Sequence, residues 1–281
     1  MNPTSNYVQC AGRELHYMEW GAANMPTVFA WHGLARTGRD MDELAAYLGA
    51  PAQGYRVICP DTIGRGLSEW SPHPEAEYCL AFYAQLATAL ADQLGLDRFD
   101  WVGTSMGGAI GLVAAAGPLR GRIGRLVMND MGPQVAASAL DRIRSYAGNP
   151  SAFATVSALE DYFRTVYKPY GFLTDAQWRR LTESSTRRLP DGRVTPHYDP
   201  AMVQQFVNYP NDHDRWAEYD SLAIPVLCLR GVDSDLLEAD TAAQMAQRGP
   251  RAQVVTIAGC GHAPALNVPD QLALVGSFLA G

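Results

Sequence analysis

Apolar and polar positions alternate along this chain in two rhythms. Residues 7–20 alternate about a turn at Gly12 and predict a pair of strands. Thr27–Trp31 and residues 55–59, 98–102, 123–128, 225–229 and 252–257 are short apolar-rich runs, as expected of strands buried on both faces. Between them, residues 40–48, 78–94, 108–116, 238–247 and 268–280 read as helices, the last with Pro269 in its first turn. Strands that alternate with helices predict an α/β architecture: a mostly parallel twisted sheet with helices on both faces. The rhythm breaks between about 133 and 220, where the chain turns helical, aromatic and rich in arginine. We therefore expect a core made of residues 1–132 and 221–281 and an inserted helical lid, 133–220, over the C-terminal edge of the sheet. Most aromatics of the insertion are expected to pack against one another, and a few to face a pocket.

One junction between a strand and a helix carries chemistry. Gly103-Thr104-Ser105-Met106-Gly107 follows the run 98–102 and opens the helix 108–116. A G-x-S-x-G in that context is a nucleophile elbow, a sharp turn that lifts a serine hydroxyl above the sheet beside a helix N-terminus. Strand and helix nearly touch at such a turn, so the residues two before and two after the serine must be small. A serine hydroxyl is a weak nucleophile until a base takes its proton and a carboxylate orients that base. Among six histidines, His262 stands out in Gly261-His262-Ala263-Pro264, between the last strand and the last helix. The loop after the 225–229 strand offers Asp233 and Asp235 as the carboxylate. Asp235 is preferred, because Leu236-Leu237 after it should bury that part of the loop; Asp233 and Asp130, the latter at the end of the 123–128 strand, are the alternatives. The two oxyanion donors are expected to be the amides of Met106 and Leu34. His32 should serve the same loop structurally, with its ring bonded to backbone.

Composition narrows the function without naming it. The chain has 281 residues, 47% hydrophobic and 18% charged, with a net charge of −7. No basic run with interleaved aromatics exists, so neither nucleic acid nor an anionic membrane is an expected partner. No secretory signal or long apolar span is visible, and the five cysteines form no C-x-x-C pair, so a cytoplasmic protein with reduced thiols is expected. Cys260 lies two residues before His262 and is read as structural. Neither a Walker A loop, a dinucleotide fingerprint nor a metal-binding motif is present, and no cofactor or metal is expected.

With these pieces in order the chain resembles the α/β-hydrolase superfamily over nearly its full length. His32-Gly33 is similar to that family's oxyanion loop, and Asp61-Thr62-Ile63-Gly64-Arg65-Gly66-Leu67-Ser68 to its D-x-x-G-x-G-x-S turn. The elbow, the acid loop and Gly261-His262 follow in the family's order, serine, acid, histidine. Asp235 stands four residues after Gly231, where many members have three, which keeps Asp233 open. The insertion resembles those of lidded esterases, lactonases and carbon–carbon bond hydrolases. The resemblance implies a metal-independent serine hydrolase acting on a small, largely apolar carboxylic ester or lactone. One rival is hydrolysis of a carbon–carbon bond in a vinylogous diketone, whose carboxylates would call for an arginine such as Arg36, Arg39 or Arg164. The other is a ligand receptor that retains the triad without turnover.

Overall fold

The structure, a computed structural model, describes residues 2–281. Ten strands form: β1 (Thr4–Cys10), β2 (Arg13–Trp20), β3 (Thr27–Trp31), β4 (Arg56–Pro60), β5 (Phe99–Thr104), β6 (Ile123–Asn129), β7 (Thr186–Arg188), β8 (Val194–Pro196), β9 (Val226–Gly231) and β10 (Gln253–Ile257). Eight make one sheet in the order β1-β2-β4-β3-β5-β6-β9-β10. β1 and β2 pair antiparallel through a tight turn at Ala11-Gly12, β2 pairs antiparallel with β4, and the remaining neighbours are parallel.

The central strands are mostly apolar because helices cover both faces, and their two-residue period sorts side chains between two cores. Phe29, Trp31, Ile58, Trp101, Leu126, Met128 and Cys228 point to one face, under helices Leu80–Gln93 and Met106–Ala116. Val28, Ala30, Val57, Cys59, Val102, Val127 and Leu229 point to the other, under Asp42–Leu48 and Pro269–Ala280. No helix among the described residues is long and apolar enough to cross a membrane.

The segment between β6 and β9 builds a smaller layer of its own. Helices Ala137–Ala147, Val156–Val166 and Asp175–Ser184 are its main elements. Leu159, Phe163, Trp178, Leu181 and Val194 pack together as a separate apolar cluster. The segment also holds the antiparallel hairpin β7–β8, with three residues in each strand, too short to set up a readable alternation.

Two tryptophans underpin the turn after β5. The indoles of Trp31 and Trp101 stack with centroids 5.0 Å apart. Trp101 Nε1 donates to the Gly107 carbonyl at 2.9 Å, and a Cβ on Gly111 would collide with the same ring. The helix thus lies on its own strand with hydrogen atoms in place of side chains at the crossing. A Cβ on Gly103 would overlap the backbone of Gly107 and Gly108, and one on Gly107 would overlap that of Trp31. Gly103→Ala should therefore lower stability by at least about 3 kcal/mol, whereas Gly95→Ala, a left-handed glycine with open space around it, should cost about 1 kcal/mol; urea unfolding midpoints compare the two.

Candidate active site

Ser105 occupies the turn with φ 53° and ψ −119°, a strained conformation for a residue with a side chain. The surroundings hold it there: its N–H donates to the Asn129 carbonyl at 2.9 Å, and its own carbonyl accepts from Gly108 N–H at 2.8 Å. Ser105 Oγ lies 2.8 Å from His262 Nε2, and His262 Nδ1 lies 2.7 Å from Asp130 Oδ2. A carboxylate only accepts, so the imidazole proton sits on Nδ1 and Nε2 is free to accept from the serine hydroxyl.

The carboxylate that meets His262 is Asp130, not the preferred Asp235. Asp130 follows β6 directly, turns with φ 52° and is fully buried. Besides the imidazole it accepts from Gly231 N–H at 2.7 Å and from Ser234 Oγ–H at 2.5 Å. Asp235 points outward, its side chain 57% exposed, and pairs with Arg142 at 2.7 Å. Leu236 and Leu237 are buried as expected, but the loop turns Ser234 inward with them and leaves Asp233 and Asp235 in solvent. Burial of neighbours is the wrong guide here, because a buried leucine pair does not carry the residue before it inward: Ser234, Leu236 and Leu237 face in while Asp233 and Asp235 face out. The order serine, aspartate, histidine is unchanged.

The remaining predicted residues fall as follows. Leu34 and Met106 line the same recess as Ser105, and neither amide has an acceptor among the described residues. Met106 is the first residue of an eleven-residue helix, whose N-terminus favours negative charge. His32 is buried, with Nδ1–H donating to the Gly33 carbonyl at 2.6 Å and Nε2 accepting from Thr62 N–H at 2.9 Å. Cys260 is buried beside Tyr170 and Gln271, and burial pushes its thiol pKa up. Among the arginines named for a carboxylate-bearing substrate, Arg39 pairs with Asp42, Arg164 with Glu160 and Asp175, and Arg36 lines a cavity beside Ser105.

Two contributors escaped the sequence reading. Arg65, wholly buried, donates to the Leu34 carbonyl at 2.9 Å and to Tyr83 Oη at 3.0 Å, fixing the loop that carries the Leu34 amide. Its place inside Asp61-Thr62-Ile63-Gly64-Arg65-Gly66 was the available signal. Asn129 donates from Nδ2 to the Pro264 carbonyl at 2.8 Å and so ties the end of β6 to the histidine loop. Ser105 opens on two spaces. One is a recess of about 50 Å³ walled by side chains such as Ala109, Leu112, Met131 and Phe206. The other is a cavity of about 340 Å³ between the sheet edge and the insertion.

A family model for the alpha/beta hydrolase fold matches residues 26–267. The chain belongs to the α/β-hydrolase family. Over its whole length it is 36% identical to a 3-hydroxybutyrate-oligomer hydrolase of Cupriavidus necator, covering 99% of that protein. It is 30% identical to a 2-hydroxymuconate semialdehyde hydrolase of a Pseudomonas species, over 82% of this chain and 78% of that one. The crystal structure of an alpha/beta hydrolase from Novosphingobium aromaticivorans superposes with a TM-score of 0.86 at 35% identity, covering 99% of this chain and 98% of that one. The α/β-hydrolase reading made from the sequence holds, and the protein is a hydrolase.

Two outcomes follow from this geometry. Asp130→Asn should lower kcat by about 10³–10⁴-fold, while Asp235→Asn, which removes an exposed ion pair, should change it by less than about threefold; steady-state kinetics on one ester decide between the two carboxylates. Burial lowers the His32 pKa from its ordinary 6.5 to about 4. The unfolded chain takes up this proton near 6.5 and the folded chain resists until about 4, so the stability that His32 contributes is complete above pH 6.5. It should fall by up to roughly 3 kcal/mol as the pH drops through that window. Denaturant unfolding of the parent and of His32→Gln across this range should show the difference shrinking toward acid.

Proposed function

We propose that this hydrolase is a serine esterase that cleaves short esters of small hydroxy acids through an acyl-enzyme. The observation that carries the reading is the unbroken hydrogen-bonded series Ser105–His262–Asp130, beside the Leu34 and Met106 amides that have no acceptor among the described residues. The full-length likeness to a protein described as a 3-hydroxybutyrate-oligomer hydrolase supports the choice of ester. A small, largely apolar ester or lactone, the substrate first expected, suits the small recess with its Ala109, Leu112, Met131 and Phe206 side chains, and the larger cavity, with tyrosines on its wall, leaves room for a more polar alcohol half.

In this mechanism Ser105 Oγ attacks the ester carbonyl as its proton passes to His262 Nε2. Asp130 holds the Nδ1–H tautomer and stabilises the imidazolium that forms. The Leu34 and Met106 amides receive the oxyanion. His262 then protonates the leaving alkoxide, and the alcohol departs. Water enters, loses a proton to His262 and attacks the acyl carbon, and the collapse returns the proton to Ser105 Oγ and frees the acid. The acyl group would occupy the small recess and the alcohol half the larger cavity.

Arg36 on the cavity wall, together with the 30% identical semialdehyde hydrolase, also favours a second reading, hydrolysis of a carbon–carbon bond in an anionic ring-fission product. One comparison separates the two. On p-nitrophenyl esters from acetate to decanoate, the esterase should prefer the shortest acyl groups and lose at least about tenfold in kcat/KM by octanoate, since the recess cannot take a long chain. Ser105→Ala should abolish the turnover. Absent ester turnover with rapid cleavage of a vinylogous diketone would replace the esterase by the carbon–carbon hydrolase.

A further inference from the structure

The loop that carries His262 is bonded on two sides. Its carbonyls bond to the core: that of Cys260 accepts from Asp233 N–H at 3.0 Å, and that of Pro264 from Asn129 Nδ2 at 2.8 Å. Its N–H groups bond to the insertion. Among residues 259–265, only Gly261 and Ala265 N–H find an acceptor among the described residues, the carbonyls of Pro169 at 2.8 Å and of Tyr170 at 3.2 Å. Two side chains of the loop reach the same segment. Cys260 Sγ lies 3.6 Å from the Tyr170 carbonyl, and Asn267 Nδ2 donates to the Phe172 carbonyl at 2.8 Å.

The packing between the two is as close as the bonding. Gly171 has φ 91°, and a Cβ on it would stand 2.7 Å from Cys260 Sγ. A Cβ on Gly261 would stand 3.1 Å from Pro169 Cβ and 3.2 Å from the Asp233 carbonyl oxygen. The histidine loop is therefore pressed between the insertion and the loop after β9, with no slack for a methyl group. The helix Asp175–Ser184 ties the same part of the insertion to the core, since Arg180 pairs with Glu43 at 2.6 Å. A catalytic base needs this kind of support. Its side chain has to be held within about 0.5 Å of the productive geometry, and a misplacement of about 1 Å can cost about 100-fold in rate. The core bonds hold one edge of the His262 loop, and the insertion holds the other.

We infer that the segment Pro169–Phe172, with Asn267 as its side-chain link, is a positioning clamp for His262. This half of the insertion is then a working part of the catalytic site and not a cover that lifts away from it. The inference rests on the reading of His262 as the base that serves Ser105. The clamp acts through the loop, by fixing the height and direction from which the imidazole meets Ser105 and Asp130, and none of its bonds is to a reacting atom. Tyr170 has a second place as well, on the wall of the larger cavity.

The test separates position from stability and from substrate binding. Asn267→Ala removes one bond to the insertion from a half-buried residue five positions beyond His262. On p-nitrophenyl acetate it should lower kcat by about 3–10-fold and change KM by less than about twofold. Gly171→Ala, which drives the segment off Cys260, should lower kcat by at least about 50-fold. Inactivation by diethyl p-nitrophenyl phosphate, which needs Ser105 and His262 but little of the cavity, should slow by the same factors. Gly95→Ala, destabilising but remote from the loop, should keep kcat within about twofold and so shows what lost stability alone does. If Gly171→Ala does not fold, Asn267→Ala decides alone. A kcat in Asn267→Ala within about twofold of the parent overturns the clamp and leaves the esterase standing. So does a rise in KM with kcat and the inactivation rate unchanged, which makes the segment a wall for the substrate only. Failure of the parent to cut any ester overturns the reading beneath it, and the clamp with it.

Discussion

A single dry carboxylate organises the upper edge of this molecule. Asp130 accepts from the imidazole of His262, the backbone of Gly231 and the hydroxyl of Ser234, and no water reaches it. A buried charge demands partners on every side, because each missing hydrogen bond costs far more inside a protein than at its surface. Asp130 therefore dictates where three segments must be: the end of β6, the loop after β9 and the histidine loop. The serine turn depends on the same junction, since Asn129, next to Asp130, accepts from the Ser105 amide and reaches across to Pro264. The geometry of the proposed catalytic site and the loop architecture thus have one origin here. A group that orients the base also pins the strands that carry it.

How much of this could be read in advance follows from what each pattern encodes. The elbow was legible because its demand is steric and local: Gly103 and Gly107 can be nothing larger, and the motif lies within a few residues of the serine it serves. His262 was legible because it stands alone between the last strand and the last helix with glycine before it. The partner of His262 was not, since two strand ends reach the same place and both carry acidic residues. The one that lies inward, Asp130, accepts from the Ser234 hydroxyl of the other strand's loop. That pairing is a contact across 104 residues, beyond the reach of any local spacing.

Alternating apolar runs revealed the sheet for a related reason. Strands buried on both faces need a mostly apolar stretch, and the central strands each show one. The insertion obeys no such simple rule. Its hairpin has three residues in each strand, and its aromatics serve packing and cavity wall at once. Sequence pattern identified the region and its character, while the pairing of Arg36 with Asp40 and its seat beside Tyr167 and Phe163 emerge only in three dimensions.

Phe163 joins these two worlds. It belongs to the separate cluster of Leu159, Trp178, Leu181 and Val194, and its ring also faces the Arg36 guanidinium. The sheet has its own cores and does not depend on that cluster. Repacking that cluster alone would reshape the wall of the larger cavity at Phe163 while touching neither of the cores that pack on the sheet. Elsewhere in the insertion the two are joined: Ile143 and Phe206 belong to the main core and also wall the recess at Ser105, so a change of selectivity there is also a change of stability.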